Sequence, residues 1–194
     1  MPDMIRDGKG NGYLAQVDNE NRLVTSSIIR THIHHHSLSH GDAYNVYFRH
    51  TQVAAATNEI VGYIQYTGTN FLVIHQTVFS TNSAGETKFE VFGNPTGLSG
   101  GVDITPTALR FGSAKTLLVT AKDTNKGVSA ITSATEGSEF SDIRIGWNAQ
   151  ATFTYEYHDS IILGKDAIFM ILANSASLGD VIRVNTTYYE EELR

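Results

Sequence analysis

The fold is decided by the stretch Asp142-Ile143-Arg144-Ile145-Gly146-Trp147, in which large apolar side chains alternate with polar or small ones. Successive side chains of a β-strand point to opposite faces, so this spacing places the two isoleucines and the tryptophan on one buried face. The same alternation returns at Phe153, Tyr155 and Tyr157. The region therefore predicts two consecutive, half-buried strands.

Similar patterns extend in both directions from this stretch. Two segments, residues 71–79 and 167–172, are apolar on both faces and are predicted to be central strands. Further strands are predicted at residues 45–52, 59–66, 87–92, 109–111, 116–121 and 181–188, with a short edge strand at 128–131 and an acidic tail from Glu190. About eight to ten short strands predict an all-β, two-sheet antiparallel sandwich of jelly-roll type, with an immunoglobulin-like topology as the alternative.

Composition narrows the classes of function. The chain has 194 residues, no cysteine, a net charge of −6 and only 18% charged residues. An acidic chain without clustered Lys or Arg is not expected to bind nucleic acid, and no apolar run is long enough to span a membrane. We expect no disulfides, no cofactor and no secretory leader, and a weakly charged exterior is typical of surfaces that contact other subunits.

The N-terminal segment has a different character from the rest. Residues 1–43 are predicted to form an extended arm and residues 44–194 the sandwich domain. Glycines alternate in Asp7-Gly8-Lys9-Gly10-Asn11-Gly12, which costs backbone entropy and buries little, so we expect the arm to become ordered on a neighbouring surface. A calcium-loop interpretation is disfavoured because Lys9 occupies a position that should supply oxygen.

Motifs that could carry catalysis lack the context that catalysis needs. Gly97-Leu98-Ser99-Gly100-Gly101 matches G-x-S-x-G, but no strand–turn–helix pattern surrounds it. The spacing of the acidic residues does not select a paired-carboxylate site. The chain is therefore predicted not to be an enzyme, and no catalytic residue is assigned.

Histidines are concentrated just before the sandwich. If residues 28–36 are extended, His32, His34 and His36 share one face. They are predicted to lie at a subunit interface, where protonation in mild acid would make them repel, or to form a weak metal site completed by another chain. No resident metal is assigned, since neighbouring carboxylate or cysteine ligands are missing.

The opening residues carry a resemblance to a known group of proteins. The stretch from Ile5 to Asp18, together with Asn21-Arg22-Leu23, resembles the start of small virion structural proteins of tailed bacteriophages, many of which begin with D-G-x-G-x-G and V-D-x-x-N-R-L. The likeness extends more loosely through residues 41–45, 92–97 and 163–189. It implies a β-sandwich module that serves as head decoration, cement or fibre base, often as a homotrimer.

The expected function follows from this resemblance and from the arm. The protein is expected in the virion, assembled in the host cytoplasm, with the major capsid protein or other virion subunits as partners. Arm contacts to partner subunits are expected from the following residues: Ile5, Asp7, Gly8, Gly10, Gly12, Leu14, Val17, Arg22 and Leu23. The alternative function is a tail-associated receptor- or carbohydrate-binding module that uses loops near Asn94, residues 122–138 and residues 157–158.

Overall fold

The computed structural model describes residues 4–6, 14–17, 23–24, 33, 36–113, 115, 118–124, 128–145 and 152–191. The chain divides into two compact units, residues 1–31 and 32–194. The boundary predicted from sequence, between residues 43 and 44, lies later in the chain. Among the described residues, no helix has the length and apolar character needed to cross a membrane.

The first unit contains three short strands: β1 (Met4–Arg6), β2 (Leu14–Val17) and β3 (Leu23–Val24). They form an antiparallel sheet in the order β1-β2-β3, with Ile5 opposite Ala15 and Gln16 opposite Val24. The sequence predicted an extended arm for residues 1–43 and assigned no strands within it. Strands of two to four residues are too short for alternation to identify them in a sequence.

The described residues of the second unit include a π-helical turn, His36–His40, which is followed by thirteen strands. The strands are β4 (Ala43–Thr51), β5 (Glu59–Tyr66), β6 (Phe71–Thr81), β7 (Thr87–Gly93), β8 (Ser99–Gly100), β9 (Val102–Ile104), β10 (Thr107–Ala108), β11 (Val119–Asp123), β12 (Ile131–Thr132), β13 (Ser138–Ile145), β14 (Thr152–Leu163), β15 (Ile168–Ser175) and β16 (Val181–Glu191).

The strand order confirms the predicted all-β jelly roll. One antiparallel sheet has the order β10-β4-β16-β6-β14, and the other has the order β13-β7-β15-β5-β11-β9. Among the eight long strands, β4 pairs with β16 and β6 pairs with β14 in the first sheet. In the second sheet, β5 pairs with β15 and β7 pairs with β13. Two interlocked Greek keys produce this order, so the immunoglobulin-like alternative is wrong.

The core lies between the two sheets and follows the predicted alternation. Ile143 and Ile145 are buried, whereas Arg144 between them is exposed; Trp147 lies outside the described residues. The rings of Phe79 and Phe89 pack across the core, with centroids 4.8 Å apart. Burial of the apolar face of each strand against the opposite sheet is the main stabilising contribution.

Residues 94–137 form an insertion between β7 and β13 that extends one edge of the sandwich. Strand β10 adds to β4, and β11 adds to β5 and in turn carries β9. Strands β8 and β12 form a separate two-stranded sheet. We call the side of the sandwich formed by β4, β5 and these added strands the covered edge, and the side formed by β13 and β14 the open edge.

Some predicted elements differ from the structure. The strand predicted at residues 109–111 is wrong, because the chain turns there and Phe111 is 92% exposed. The acidic tail predicted from Glu190 is also wrong, since β16 continues through Glu191. Glu190 accepts hydrogen bonds from the Tyr66 hydroxyl at 2.8 Å and from the Asn70 amide at 3.1 Å. These tertiary partners allow acidic residues to continue a strand.

Candidate assembly surfaces

A ladder of aromatic rings runs out of the core along the open edge. Tyr157 is buried and meets Phe169 edge to face, with centroids 6.0 Å apart. Tyr155 follows at 5.0 Å from Tyr157, and Phe153 lies 6.4 Å beyond it with 42% of its surface exposed. The prediction that Phe153 lies on a buried face is therefore only half correct. Its ring lies on the core side of the sheet, but strand β14 is the last in that sheet.

The facing strand contributes a second exposed ring. Phe140 lies at a register irregularity of β13, and its ring covers Gly93, where a Cβ atom would overlap it. Phe140 is 48% exposed and lines a groove of about 440 Å³. The other lining residues are Tyr155, Glu156, Tyr157, His158, Ser160, Ile161 and Ile162. The groove thus combines aromatic and aliphatic side chains with polar ones, a lining suited to contact a mixed surface of another molecule.

An irregularity in β14 shapes this groove. Pairing with β6 shifts between Glu156 and Ile161, and the residues between them leave the ladder. His158 and Asp159 both adopt positive φ, at 49° and 59°, which is costly for residues other than glycine. His75 Nδ1 lies 3.1 Å from the Asp159 carboxylate and helps to hold the bulge in place. Bulges at a sheet edge redirect side chains and oppose uncontrolled strand addition.

The junction before β4 is fastened by an ionic cluster centred on His36. Its Nδ1 lies 2.9 Å from Asp42 and its Nε2 lies 3.0 Å from Glu191, while its ring stacks on Tyr189 at 4.2 Å. Burial alone lowers the pKa of His36, but hydrogen bonds and charges from Asp42 and Glu191 outweigh it and raise the pKa above its usual 6.5. Carboxylates only accept, so both ring nitrogens must donate, as they do in the charged imidazole.

The cluster also reaches the insertion. Lys115 Nζ lies 3.2 Å from the second oxygen of Asp42, and the Ser113 hydroxyl donates to the Gly41 carbonyl at 2.7 Å. Burial raises the pKa of Asp42, but the hydrogen bonds and charges of His36 and Lys115 lower it further than burial raises it. The imidazole therefore connects the beginning of β4, the end of β16 and the insertion.

His32, His34 and His36 were predicted to share one face if residues 28–36 were extended. In the structure, His36 begins a π-helical turn, and its ring stacks on Tyr189. His32 and His34 lie outside the described residues. Within the described part of the chain, no group of three or more His, Cys, Asp or Glu side chains is arranged to hold a metal ion. The interface role of the three histidines stays a prediction.

The predicted arm contacts fall mostly in or near the first unit's strands. Ile5 lies in β1, Leu14 and Val17 lie in β2, and Leu23 lies in β3. Five of the expected contact residues lie outside the described residues: Asp7, Gly8, Gly10, Gly12 and Arg22. The contacts of all nine with partner subunits stay predictions.

A cleft of about 300 Å³ lies beside the insertion, near the β4–β5 turn. On its wall, the buried His50 contacts Glu59 at 2.5 Å and the Thr124 hydroxyl at 2.8 Å. Burial lowers the pKa of His50 and outweighs the opposing effect of Glu59 and Asp123. Glu59 also accepts from the backbone amides of residues 53 and 54, so this network fixes the turn at the cleft.

The remaining sequence candidates have structural partners. Ser99 lies in β8, and its hydroxyl is 2.8 Å from that of Thr132 in β12. Asn94 accepts a hydrogen bond from the Ile168 amide at 3.0 Å. Sequence reasoning missed Phe140, Ile162 and His50, because their positions at an edge or a cleft depend on strand order, which leaves no signal in the local pattern.

Comparisons with known proteins leave the family open. No protein-family model matches the chain, and no curated protein matches it either. Among solved structures, a chain from the structure of infectious bursal disease virus Gx strain is similar at 11% identity, with a TM-score of 0.19. The alignment covers 99% of this chain and 47% of that chain, so the protein spans about half the length of that viral chain. A TM-score of this size supports no argument about function.

Proposed function

We propose that the protein is a non-enzymatic virion structural protein that decorates or stabilises a phage particle. In this proposal the sandwich forms a homo-oligomer, expected to be a trimer, through the open edge. The N-terminal unit docks on the major capsid protein or on other virion subunits. The sequence resemblance of residues 5–23 supports the phage assignment.

The observation that carries the proposal is the open edge. Strand β14 has 12 residues and ends its sheet, and its aromatic ladder continues the core directly to solvent. Exposed edge strands invite association with other chains. The part of β14 before its bulge lies beside a groove with apolar and polar lining residues, so this edge is suited to be an interface. Phe140 and Phe153, one from each sheet, are suited to be its anchors, because aromatic side chains carry much of the energy of interfaces.

In this proposal, the first unit is needed for attachment to the particle but not for folding of the sandwich. A deletion tests this directly. Deleting residues 1–31 removes the first compact unit and retains His36 and its cluster. We expect the truncated protein to fold and to form the same oligomer, but not to join particles that lack the full-length protein. Cryo-electron microscopy of particles mixed with each protein gives the readout. Equal occupancy of the truncated and full-length proteins would contradict arm-mediated docking.

A second candidate function is the tail-associated carbohydrate-binding module. The cleft beside the insertion favours it, because residues 130–133 and Glu136 form part of its wall and belong to the loop expected to contact a ligand. Its lining combines an apolar floor at Ile60 and Leu172 with the polar Asn58. Neutral and acidic glycan arrays probed with the full chain would reveal this activity. Binding abolished by Asn58→Ala would locate it in the cleft.

A further inference from the structure

Two arginines lie side by side on the outer face of the five-stranded sheet. Arg49 on β4 is directly opposite Arg183 on β16 in the antiparallel register. Their neighbours in sequence, Phe48 and Val184, are buried in the core, so both arginines are on the face that points away from it. Directly opposed residues in a sheet have Cβ atoms roughly 5 Å apart, and like charges at that spacing are destabilising.

Neither guanidinium is neutralised by the part of the chain that the structure describes. No carboxylate there lies within 4.0 Å of Arg49 or Arg183, whereas Arg144 on the other sheet contacts both Glu86 and Asp142 at 3.6 Å. The chain has more acidic than basic residues, with a net charge of −6, so two adjacent arginines without a carboxylate partner are unexpected. An anion placed between them would turn repulsion into attraction.

Two polar atoms beside the arginines are buried and without a hydrogen-bond partner. They are Nε of Arg49, which is a donor, and Oδ1 of Asn185, which is an acceptor. Asn185 lies two residues from Arg183 on the same strand, and therefore on the same face. Both atoms have almost no solvent-accessible surface, so a ligand on this face would meet the other guanidinium nitrogens of Arg49 and Arg183, which are not buried in this way.

The next cross-strand pair on the same face adds an aromatic side chain. Tyr47 is directly opposite Asn185, lies two residues before Arg49, and is 50% exposed. A half-exposed tyrosine offers an apolar ring face together with a polar edge. The outer face thus brings together two guanidinium groups, one amide and one aromatic ring, contributed by two adjacent strands.

From this arrangement we propose that the outer face of β4 and β16 binds an acidic sugar of the uronic acid class. The carboxylate accepts hydrogen bonds from the two guanidinium groups, whose planar forks match its two oxygens. The sugar ring packs on the exposed face of Tyr47. The site is separate from the open edge and from the cleft, so its existence does not depend on the assembly role.

The test is a titration of the full-length protein with D-glucuronate, D-glucose and acetate, followed by amide chemical shifts in NMR spectra. We expect glucuronate to bind and to shift the amides of residues 47–49 and 183–185. We expect D-glucose, which lacks the carboxylate, and acetate, which lacks the ring, to bind at least about tenfold more weakly. Equal affinity for glucuronate and glucose, or for glucuronate and acetate, would overturn the assignment.

Variants locate the site and control for folding. Arg49→Met and Arg183→Met should each weaken glucuronate binding at least about tenfold, and Arg183→Lys should also weaken it because the fork is lost. Arg144→Met is the matched control and should bind as the wild type does. The thermal midpoints of Arg49→Met and Arg183→Met should not fall, since each relieves cross-strand repulsion. Unchanged glucuronate binding in both methionine variants would overturn the proposal.

Discussion

The covered edge and the open edge of the sandwich differ in whether the backbone of their long strands has partners on both sides. At the covered edge, the insertion adds β10 to the beginning of β4, and β11 with β9 to β5, so β5 and the beginning of β4 have backbone partners on both sides. At the open edge, β13 and β14 are the outermost strands of their sheets, and aromatic rings from both are partly exposed. A sandwich can satisfy an edge with its own chain or leave it for another molecule.

The two edges also differ in the burial and length of their ion pairs. The covered edge is fastened by the cluster of His36, Asp42 and Lys115, which is mostly withdrawn from solvent. At the open edge, the ion pairs of Arg144 with Asp142 and Glu86 are exposed and longer, at 3.6 Å. Exposed pairs contribute little to stability, so we expect the open edge to add less to folding than the covered edge does. Under the function proposed above, the open edge instead serves association.

The largest expected effect concerns the close packing of the covered edge. A Cβ atom at Gly62 in β5 would overlap the ring of Phe48 and lie 2.8 Å from the Lys122 carbonyl. Gly62→Ala should therefore lower the free energy of unfolding by about 2–3 kcal/mol. Gly164→Ala is the control near the open edge, where nothing lies within 4 Å of the added methyl group, and it should be nearly neutral. Urea denaturation measures both; equal stabilities would contradict tight packing at the covered edge.

The next largest effect is expected on self-association, which should depend on the open edge but not on the covered edge. Phe153 in β14 and Val102 in β9 have similar exposure, 42% and 40%, and each lies on the outermost strand of its sheet. Phe153→Lys should weaken self-association by about 100-fold, because a charge replaces an aromatic anchor, and should leave the monomer folded. Val102→Lys should leave association unchanged. Analytical ultracentrifugation gives the readout, and similar behaviour of the two variants would remove the distinction between the edges.

A smaller effect should depend on pH through His36. Its pKa is raised in the folded protein, so the stability it contributes is fully present below the ordinary value of 6.5 and is lost as pH rises through the raised pKa. His36→Gln should lower the free energy of unfolding by about 1–2 kcal/mol at pH 5.5–6 and by less at pH 9. Denaturation curves at both pH values measure this. A difference that grows with pH would contradict the proposed ion pairs.

This effect concerns the folding of one chain, in which two carboxylates make protonation of His36 favourable. The repulsion predicted for clustered histidines in mild acid concerns a subunit interface and stays a prediction. His50 has the opposite tendency, since burial lowers its pKa and its neutral form is favoured in the folded protein. In His36→Gln, the remaining contribution of His50 to stability should therefore rise with pH through the region of 6.5.

The smallest effect is expected at the exposed ion pairs of the open edge. Arg144→Met removes both 3.6 Å contacts from an arginine side chain that is mostly exposed. The free energy of unfolding should change by less than about 0.5 kcal/mol. Thermal unfolding at low and high salt measures this. A loss above 1 kcal/mol would mean that charge, rather than apolar surface, stabilises the open edge.

Much of the sandwich could be predicted because its strands alternate locally. The strand predicted at residues 59–66 matches β5, and Ile143 and Ile145 are buried as expected. Predictions were wrong where tertiary partners override the local pattern. Glu190 belongs to β16 because Tyr66 and Asn70 donate to it, and these partners are more than 100 residues away in sequence.

The candidate surfaces were less predictable than the strands. Alternation placed Phe153, Tyr155 and Tyr157 on one face, but it could not show that exposure increases from Tyr157 to Phe153. All three lie on the same edge strand, so the gradient depends on what packs against each ring; Tyr157 meets Phe169, which belongs to the other sheet. Arg49 and Arg183 likewise meet only because β16 pairs with β4.

Local patterns were enough to predict the fold class and the positions of most long strands. These properties follow from side-chain periodicity and turn chemistry, which act over a few residues. Which edge is covered, which rings remain exposed and which charges become neighbours emerged from the folded chain alone. Those properties depend on strand order and register, which arise from packing between residues far apart in the chain.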